Sequence, residues 1–295
     1  MEKVDEWLKR TKPAKTFQEQ LEIMKGRGLI VTDEDHACFL LSHINYYRLR
    51  GYTLSVCHND RFFSGTTFYD LIRLYNFDKK LRLLLMELLE EVEISFRTHI
   101  AYLFATKYHP LAYLDSHYFV DPLHHSKFLV KINELLEKSN EIFVQHHKEK
   151  YNGIFPVWVA LEVLNFSDLS KMFSNMKTAD QKEIARKYYN RVYYEDLRNW
   201  LHVLSVIRNI CAHYGRIYNR PLPVRTRLPK SIREDVKANE FFSVIIILKY
   251  LFVNSNRQHL WDYFITNLKL LLEQYSEINI SLLGFPSNWE NIIHN

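Results

Sequence analysis

Along most of the chain, apolar residues return every three to four positions, the period of helices with one buried face. TFQEQLEIMKGRG (16–28) begins with a threonine cap and a Gln-Glu turn and stops at Gly26 and Gly28, which predicts a short capped helix. DEDHACFLLSHI (33–44) predicts another with an acidic start, and CHNDRFFSGT (57–66) is polar and turn-like. From 66 to 108 the pattern predicts a very long helical run, either two helices or one bent one, begun by Thr67 and Asp70 at capping-box spacing. Helical patterns follow over 126–151, after Pro156 through VWVALEVLNF, in SDLSKMFSNM, in ADQKEIARKYY and in YEDLRNWLHVLSVIRNICAHY. Two more fit 231–253 and 257–275. FFSVIIIL (241–248) has the β-branched content of a strand, but its neighbours favour helix. The reading is an all-α, compact helical bundle. An N-terminal helical segment over 1–65 packs on the core, a helical domain spans 66–276, and 277–295 form an irregular tail.

Composition agrees with this reading. Seven glycines and eight prolines are sparse for an all-β or loop-rich fold, while 47% apolar and 15% aromatic residues are ample for a core. Cys38, Cys57 and Cys211 are odd in number and never spaced as C-x-x-C, so neither a disulfide framework nor a zinc site is indicated. MEKVDEWLKR lacks a signal peptide's apolar core, and the longest apolar run (241–253) holds a serine and a lysine and is too short for a bilayer. The expectation is a soluble cytoplasmic protein with no metal, no cofactor and no membrane partner. No P-loop, Rossmann, zincin or nucleophile-elbow string occurs.

The net charge of +5 is modest but unevenly spread. Arg208, Arg216, Arg220, Arg225, Arg227, Lys230 and Arg233 follow one another with no Asp or Glu between them. Such a block is either a solvated, proline-punctuated loop or a surface for a polyanion such as RNA.

The block opens with RNICAHYGRIYNR (208–220). On an ideal helix over 194–214, Arg198, His202, Ser205, Asn209 and His213 share a narrow polar arc, opposite Leu197, Trp200, Leu201, Val203, Leu204, Ile207, Ile210 and Cys211. Asn209 and His213, four apart, can touch. Arg208 lies at the edge of the apolar arc and needs a partner: a carboxylate such as Glu91, Glu93 or Asp78, or an RNA phosphate. Arg208 and His213 diverge by about 140° on a regular helix. A long side chain, a helix ending near Gly215 or a second copy of the helix from a dimer would close that gap. A histidine titrating near neutrality beside fixed cations can run general acid–base cleavage of RNA, with the 2′-hydroxyl as nucleophile and arginine stabilising the phosphorane-like transition state. The same surface would also serve a non-catalytic RNA-binding module.

Other candidates are less specific. HINYYRLRGY (43–52) brings Tyr46, Tyr47, Arg48 and Arg50 together, residues able to stack on unpaired bases or simply to fill a core or interface. Arg97 is expected to pair with Glu93 or a distant carboxylate, and the tandem pairs His124–His125 and His146–His147 to be surface residues.

RNICAHYGRIYNR resembles the signature of the Abi-like (AbiD/AbiF-type) abortive-infection proteins, a branch of the HEPN superfamily. KPAKTFQEQLEIMKGRGLIV (12–31), HINYYRLRGY, TTFYDLIRLYNFDKKLRLLLMELLEEVEISFRTHIAY (66–102) and PVWVALEVLNFSDLSKMFSNM (156–176) fit it as well, in order, so the resemblance covers roughly 12–255. It implies a helical HEPN fold, phage defence and metal-independent ribonuclease chemistry from an R-x-x-x-x-H motif, with Arg208, Asn209 and His213 as the catalytic trio. Some relatives carry a second histidine where this chain has Tyr214. Some associate with a structured noncoding RNA, and some keep the fold as binding or antitoxin-like modules. On this reading the partners are RNA and a second copy of the chain, with Arg216, Arg220, Arg225, Arg227, Lys230, Tyr47 and Arg48 as RNA contacts.

Overall fold

A computed structural model describes every residue except 1–3, 5, 8–9, 191 and 295. The described residues are helical nearly throughout, an all-α bundle with one two-stranded hairpin among them. The chain divides into two units, residues 1–79 and 80–295, with the division inside a single long helix.

The first unit holds α1 (Phe17–Gly26), α2 (Glu34–His43), α3 (Tyr46–Thr53), strands β1 (Cys57–His58) and β2 (Arg61–Phe62), and the start of α4 (Phe68–Leu103). Local chemistry sets these boundaries. Thr16 accepts from the Glu19 amide while the Glu19 carboxylate accepts from the Thr16 amide, a capping box that satisfies two orphan donors of α1. Thr67 and Asp70 exchange the same bonds at the start of α4. The turn-like stretch closes as an antiparallel hairpin through Asn59 and Asp60, with φ of 48° and 59°. A two-residue turn needs that left-handed pair, and Asn and Asp tolerate it best after glycine. Leu21, Met24, Leu29, Ala37, Leu41, Leu49, Phe68 and Leu71 form the core of this unit.

In the second unit α4 continues as one helix, not two, and widens into a π turn at Phe104–Tyr108. Leu81, Leu85, Leu88, Leu89, Val92, Phe96, Ile100 and Leu103 form its buried stripe at helical spacing. Then come α5 (Pro122–Lys138), α6 (Ile142–Lys150), α7 (Val157–Ala160), α8 (Phe166–Asn175), α9 (Thr178–Tyr188), α10 (Tyr194–Ala212), α11 (Phe242–Val253), α12 (Gln258–Gln274) and α13 (Trp289–His294). α10 packs on α8, α9 and α11. The FFSVIIIL run lies in α11, which is apolar on every side and buried along nearly its whole length, as an all-round hydrophobic helix must be.

Several boundaries differ from the pattern. The 126–151 run breaks at Ser139–Glu141, where the chain turns extended. Residues 231–241 do not extend α11. They form turns after a short 3₁₀ segment, and their backbone bonds to the basic loop instead, Leu222 N–H to the Asn239 carbonyl and Thr226 N–H to that of Ala238. The tail is less irregular than its composition suggests: Leu283, Phe285 and Ile293 are buried and hold a 3₁₀ turn and α13. His125 is not a surface residue. It is 3% exposed, with Nε2 at 2.9 Å from the Tyr113 carbonyl and its ring against Phe119. Among the described residues no helix is long and apolar enough to cross a membrane.

Candidate functional site

The site is built at the C-terminal end of α10. Its apolar face is spent inside the unit: Leu197, Trp200, Leu201, Val203, Leu204, Ile207 and Cys211 are buried, and so is Ser205 of the polar arc, whose hydroxyl donates to the His202 carbonyl at 2.9 Å. The helix ends in a Schellman closure. Tyr214 N–H bonds to the Cys211 carbonyl at 3.1 Å and Gly215 N–H to that of Ile210 at 2.7 Å. Tyr214 holds the left-handed position at φ 59°, which glycine usually fills. Gly215 is required for a different reason: a Cβ there would lie 2.9 Å from the Ile210 methyl and 3.1 Å from its carbonyl oxygen. The buried Arg82 of α4 donates to the Gly215 carbonyl at 3.3 Å and ties the closure down.

The three motif residues face different surroundings. Arg208 is 30% exposed, and its Nε lies 3.3 Å from a carboxylate oxygen of Glu93 on α4. Of the carboxylates compatible with the sequence, Glu93 is therefore the partner, whereas Asp78 takes the Tyr52 hydroxyl within the first unit. Glu93 is shared. Its other oxygen accepts from Arg97 at 3.0 Å, and Arg97 also donates to the Leu161 and Leu164 carbonyls. The expected Arg97–Glu93 pair is thus present as one half of a bridge. Asn209 does not reach toward His213 with its side chain. Its amide donates to Ser167 on α8 at 3.1 Å and its oxygen lies 3.5 Å from the Arg208 guanidinium. His213 is the cap residue, outside the regular helix, with an exposed imidazole. No hydrogen bond joins it to Arg208. Glu93, Ser167 and Arg82 carry no motif. They become visible only once α4, α8 and α10 are packed together.

The basic loop is more internally satisfied than its charge suggests. Arg216 turns inward to the carbonyls of Tyr218 and Asn219. Residues 225–228 alternate, with Arg225 and Arg227 exposed and Thr226 and Leu228 buried, because the Asn199 and Trp200 side chains of α10 bind this stretch through its backbone. Arg227 pairs with Asp196 at 2.9 Å. Arg233 donates to the Leu228 carbonyl. Arg220, Arg225 and Lys230 stay exposed without an ion pair among the described residues. Tyr47 and Arg48 belong to the first unit: Tyr47 is 70% exposed, while the Arg48 guanidinium sits 6.0 Å from the Tyr75 ring.

One histidine of the unit is strongly perturbed. Burial, with Arg257 and Lys187 adding like charge, lowers the His99 pKa from the ordinary 6.5 to about 4. Its ring stacks on Tyr188 with centroids 3.7 Å apart.

No curated protein and no solved structure matches the chain. A family model described as Abi-like protein matches residues 39–219, more than half of its length and including the end of α10 with Arg208, Asn209 and His213. The chain belongs to the Abi-like protein family.

Proposed function

We propose that this protein is a HEPN-type endoribonuclease of abortive-infection defence that cleaves RNA without a metal ion. The observation that carries the reading is the end of α10, where an intact Arg-Asn-x-x-x-His string leaves the His213 imidazole open to solvent at the cap, while the Arg208 guanidinium, five residues earlier, is held by Glu93 and Asn209. In the reaction a 2′-hydroxyl loses its proton to His213 and attacks the adjacent phosphorus. The 5′-oxygen leaves and takes up a proton, giving a 2′,3′-cyclic phosphate and a 5′-hydroxyl end. Arg208 neutralises charge gathering on the non-bridging oxygens, and the Asn209 contact restrains its rotation. Glu93 anchors Arg208 through Nε, which leaves the remaining guanidinium nitrogens to engage phosphate. Arg220, Arg225 and Lys230 track the flanking strand or a structured noncoding RNA partner.

A second reading is a non-catalytic RNA-binding module. It is favoured by the pairing of Arg208 with Glu93 and of Arg227 with Asp196, which lowers the charge available to substrate.

Incubation of the protein with mixed RNA in EDTA separates the two readings. The nuclease yields fragments ending in 2′,3′-cyclic phosphate, and His213→Ala loses about 10²–10⁴-fold in rate with little change in RNA affinity. A folded His213→Ala protein that cuts RNA as well as the parent does would leave the binding module as the function.

A further inference from the structure

The first unit carries a groove of about 460 Å³ that the α10 site does not use. It runs between the segment before α1, the exposed side of α1 and the start of α3. Its charged lining is Lys12, Lys15, Arg27 and Arg50, with no carboxylate among the lining residues. Two acids just outside offset part of that charge. Glu19 meets Lys15 at 3.1 Å, where both side chains are close to half exposed, and Asp60 is shared by Arg50 at 2.8 Å and Arg27 at 3.7 Å. One carboxylate between two guanidiniums, and no ion pair for Lys12 among the described residues, leave the groove a positive surplus.

The same groove is aromatic. Phe17 is 45% and Tyr47 70% exposed, unusual for large rings on the wall of a cleft. Tyr46 meets Tyr47 edge-on, with centroids 5.5 Å apart and planes at 87°, while its hydroxyl accepts from Arg27 at 3.2 Å. Tyr46 is thereby held in place and meets Tyr47, which keeps 70% of its surface open to solvent. Asn45, whose side-chain oxygen caps α3 at the Tyr47 amide, keeps its amide nitrogen as a donor at the groove wall.

We propose that this groove binds an unpaired nucleotide of single-stranded RNA, the base stacked on Tyr47 and the phosphate among Lys12, Lys15 and the two arginines. Charge selects the polyanion, and the exposed rings select one with flat bases. The volume lies in the range of small-ligand sites and accommodates one nucleotide. Arg48 is not among the lining residues; its place over Tyr75 makes it a packing residue of α3.

The experiment uses the full chain and a short 2′-O-methyl oligouridylate. This probe has no free 2′-hydroxyl, so it survives whether or not the His213 site cuts RNA, and the groove is tested apart from cleavage. Ultraviolet cross-linking followed by peptide mapping is expected to mark peptides within residues 12–50, Tyr47 foremost. Tyr47→Ala is expected to weaken binding about tenfold, the loss of one base stack, and Lys12→Glu severalfold. Both positions are exposed, so the melting temperature of each variant should match that of the parent. Cross-links confined to residues outside 12–50, or unchanged affinity in both folded variants, would overturn the proposal. Equal affinity for an abasic oligomer of the same charge would also overturn it, since the groove would then select charge and not bases.

Discussion

Glu93 serves two arginines, and the two depend on it unequally. Arg97 is 13% exposed and has its Nε and a terminal nitrogen committed to the Leu161 and Leu164 carbonyls, whereas Arg208 is 30% exposed and can regain water. Arg208→Ala leaves Glu93 paired with Arg97 and should cost about 1 kcal/mol or less of stability. Glu93→Ala takes the carboxylate from both arginines, leaving the more buried Arg97 with Glu162 at 3.6 Å and its two carbonyls, and should cost about 2 kcal/mol. Urea titrations of the two variants measure the difference, and equal losses would show that Glu93 is not shared. A second residue-scale consequence concerns acid. His99 is held neutral, down to a pKa of about 4, by burial first and then by Arg257 and Lys187, while the unfolded chain takes up that proton near 6.5. The folded state therefore binds fewer protons between those values. Stability from the neutral imidazole is complete above about pH 6.5 and is lost as pH falls toward 4, by about 2–3 kcal/mol for a largely buried group. His99→Phe, which keeps a ring over Tyr188, should flatten that part of the stability–pH curve. A parent and variant that lose stability in parallel would place the acid sensitivity elsewhere.

At the scale of elements, the end of α10 sets opposite expectations at adjacent positions. Gly215→Ala pushes a methyl against the Ile210 carbonyl, which as backbone cannot yield, and should destabilise by about 1–3 kcal/mol. Tyr214→Gly removes a side chain from the left-handed region and should stabilise by about 1 kcal/mol. Thermal melts of both variants check the pair of signs; two changes in the same direction would contradict the Schellman geometry. What the sequence makes legible follows the same local logic. Thr16 with Glu19 and Thr67 with Asp70 mark helix starts because a cap lies within three residues of its partner. The long α4 and the buried α11 are legible from periodicity and from its absence. Residues 231–241 are not, because their backbone partners sit in the basic loop, and no local pattern encodes that pairing. At the candidate site, the motif and Arg208's need for an anionic partner, carboxylate or phosphate, are legible. The identity of Ser167 and Arg82 as anchors is not, since each reaches α10 from a distant helix. His125 shows the same limit: tandem histidines read as surface, yet one is buried on the Tyr113 carbonyl.

For the molecule as a whole, the proposed reaction asks for one group to accept a proton and another to return it, and each chain brings one His213. The apolar face of α10 is already occupied by its own unit. Any two-fold contact through this helix must therefore use Arg198, His202 and the residues around His213, a polar strip that associates weakly and loses affinity in salt. Sedimentation should show a dimer that forms with rising protein concentration and recedes at high ionic strength. A monomer under all conditions, with and without RNA, would confine the chemistry to a single imidazole that both accepts and returns the proton.

The closure after α10 also lends the molecule a reporter. The amides of Tyr214 and Gly215 sit beyond the regular helix, at a corner where Tyr214 is 69% exposed, yet both are tied to carbonyls of the last turn. Solvent reaches the corner, so those bonds slow the entry of deuterium at the two amides. Slow exchange at these two positions would mean that the corner presenting His213 stays shut. Faster exchange after RNA is added, or after Arg82 is replaced, would time its opening directly, one backbone proton at a time.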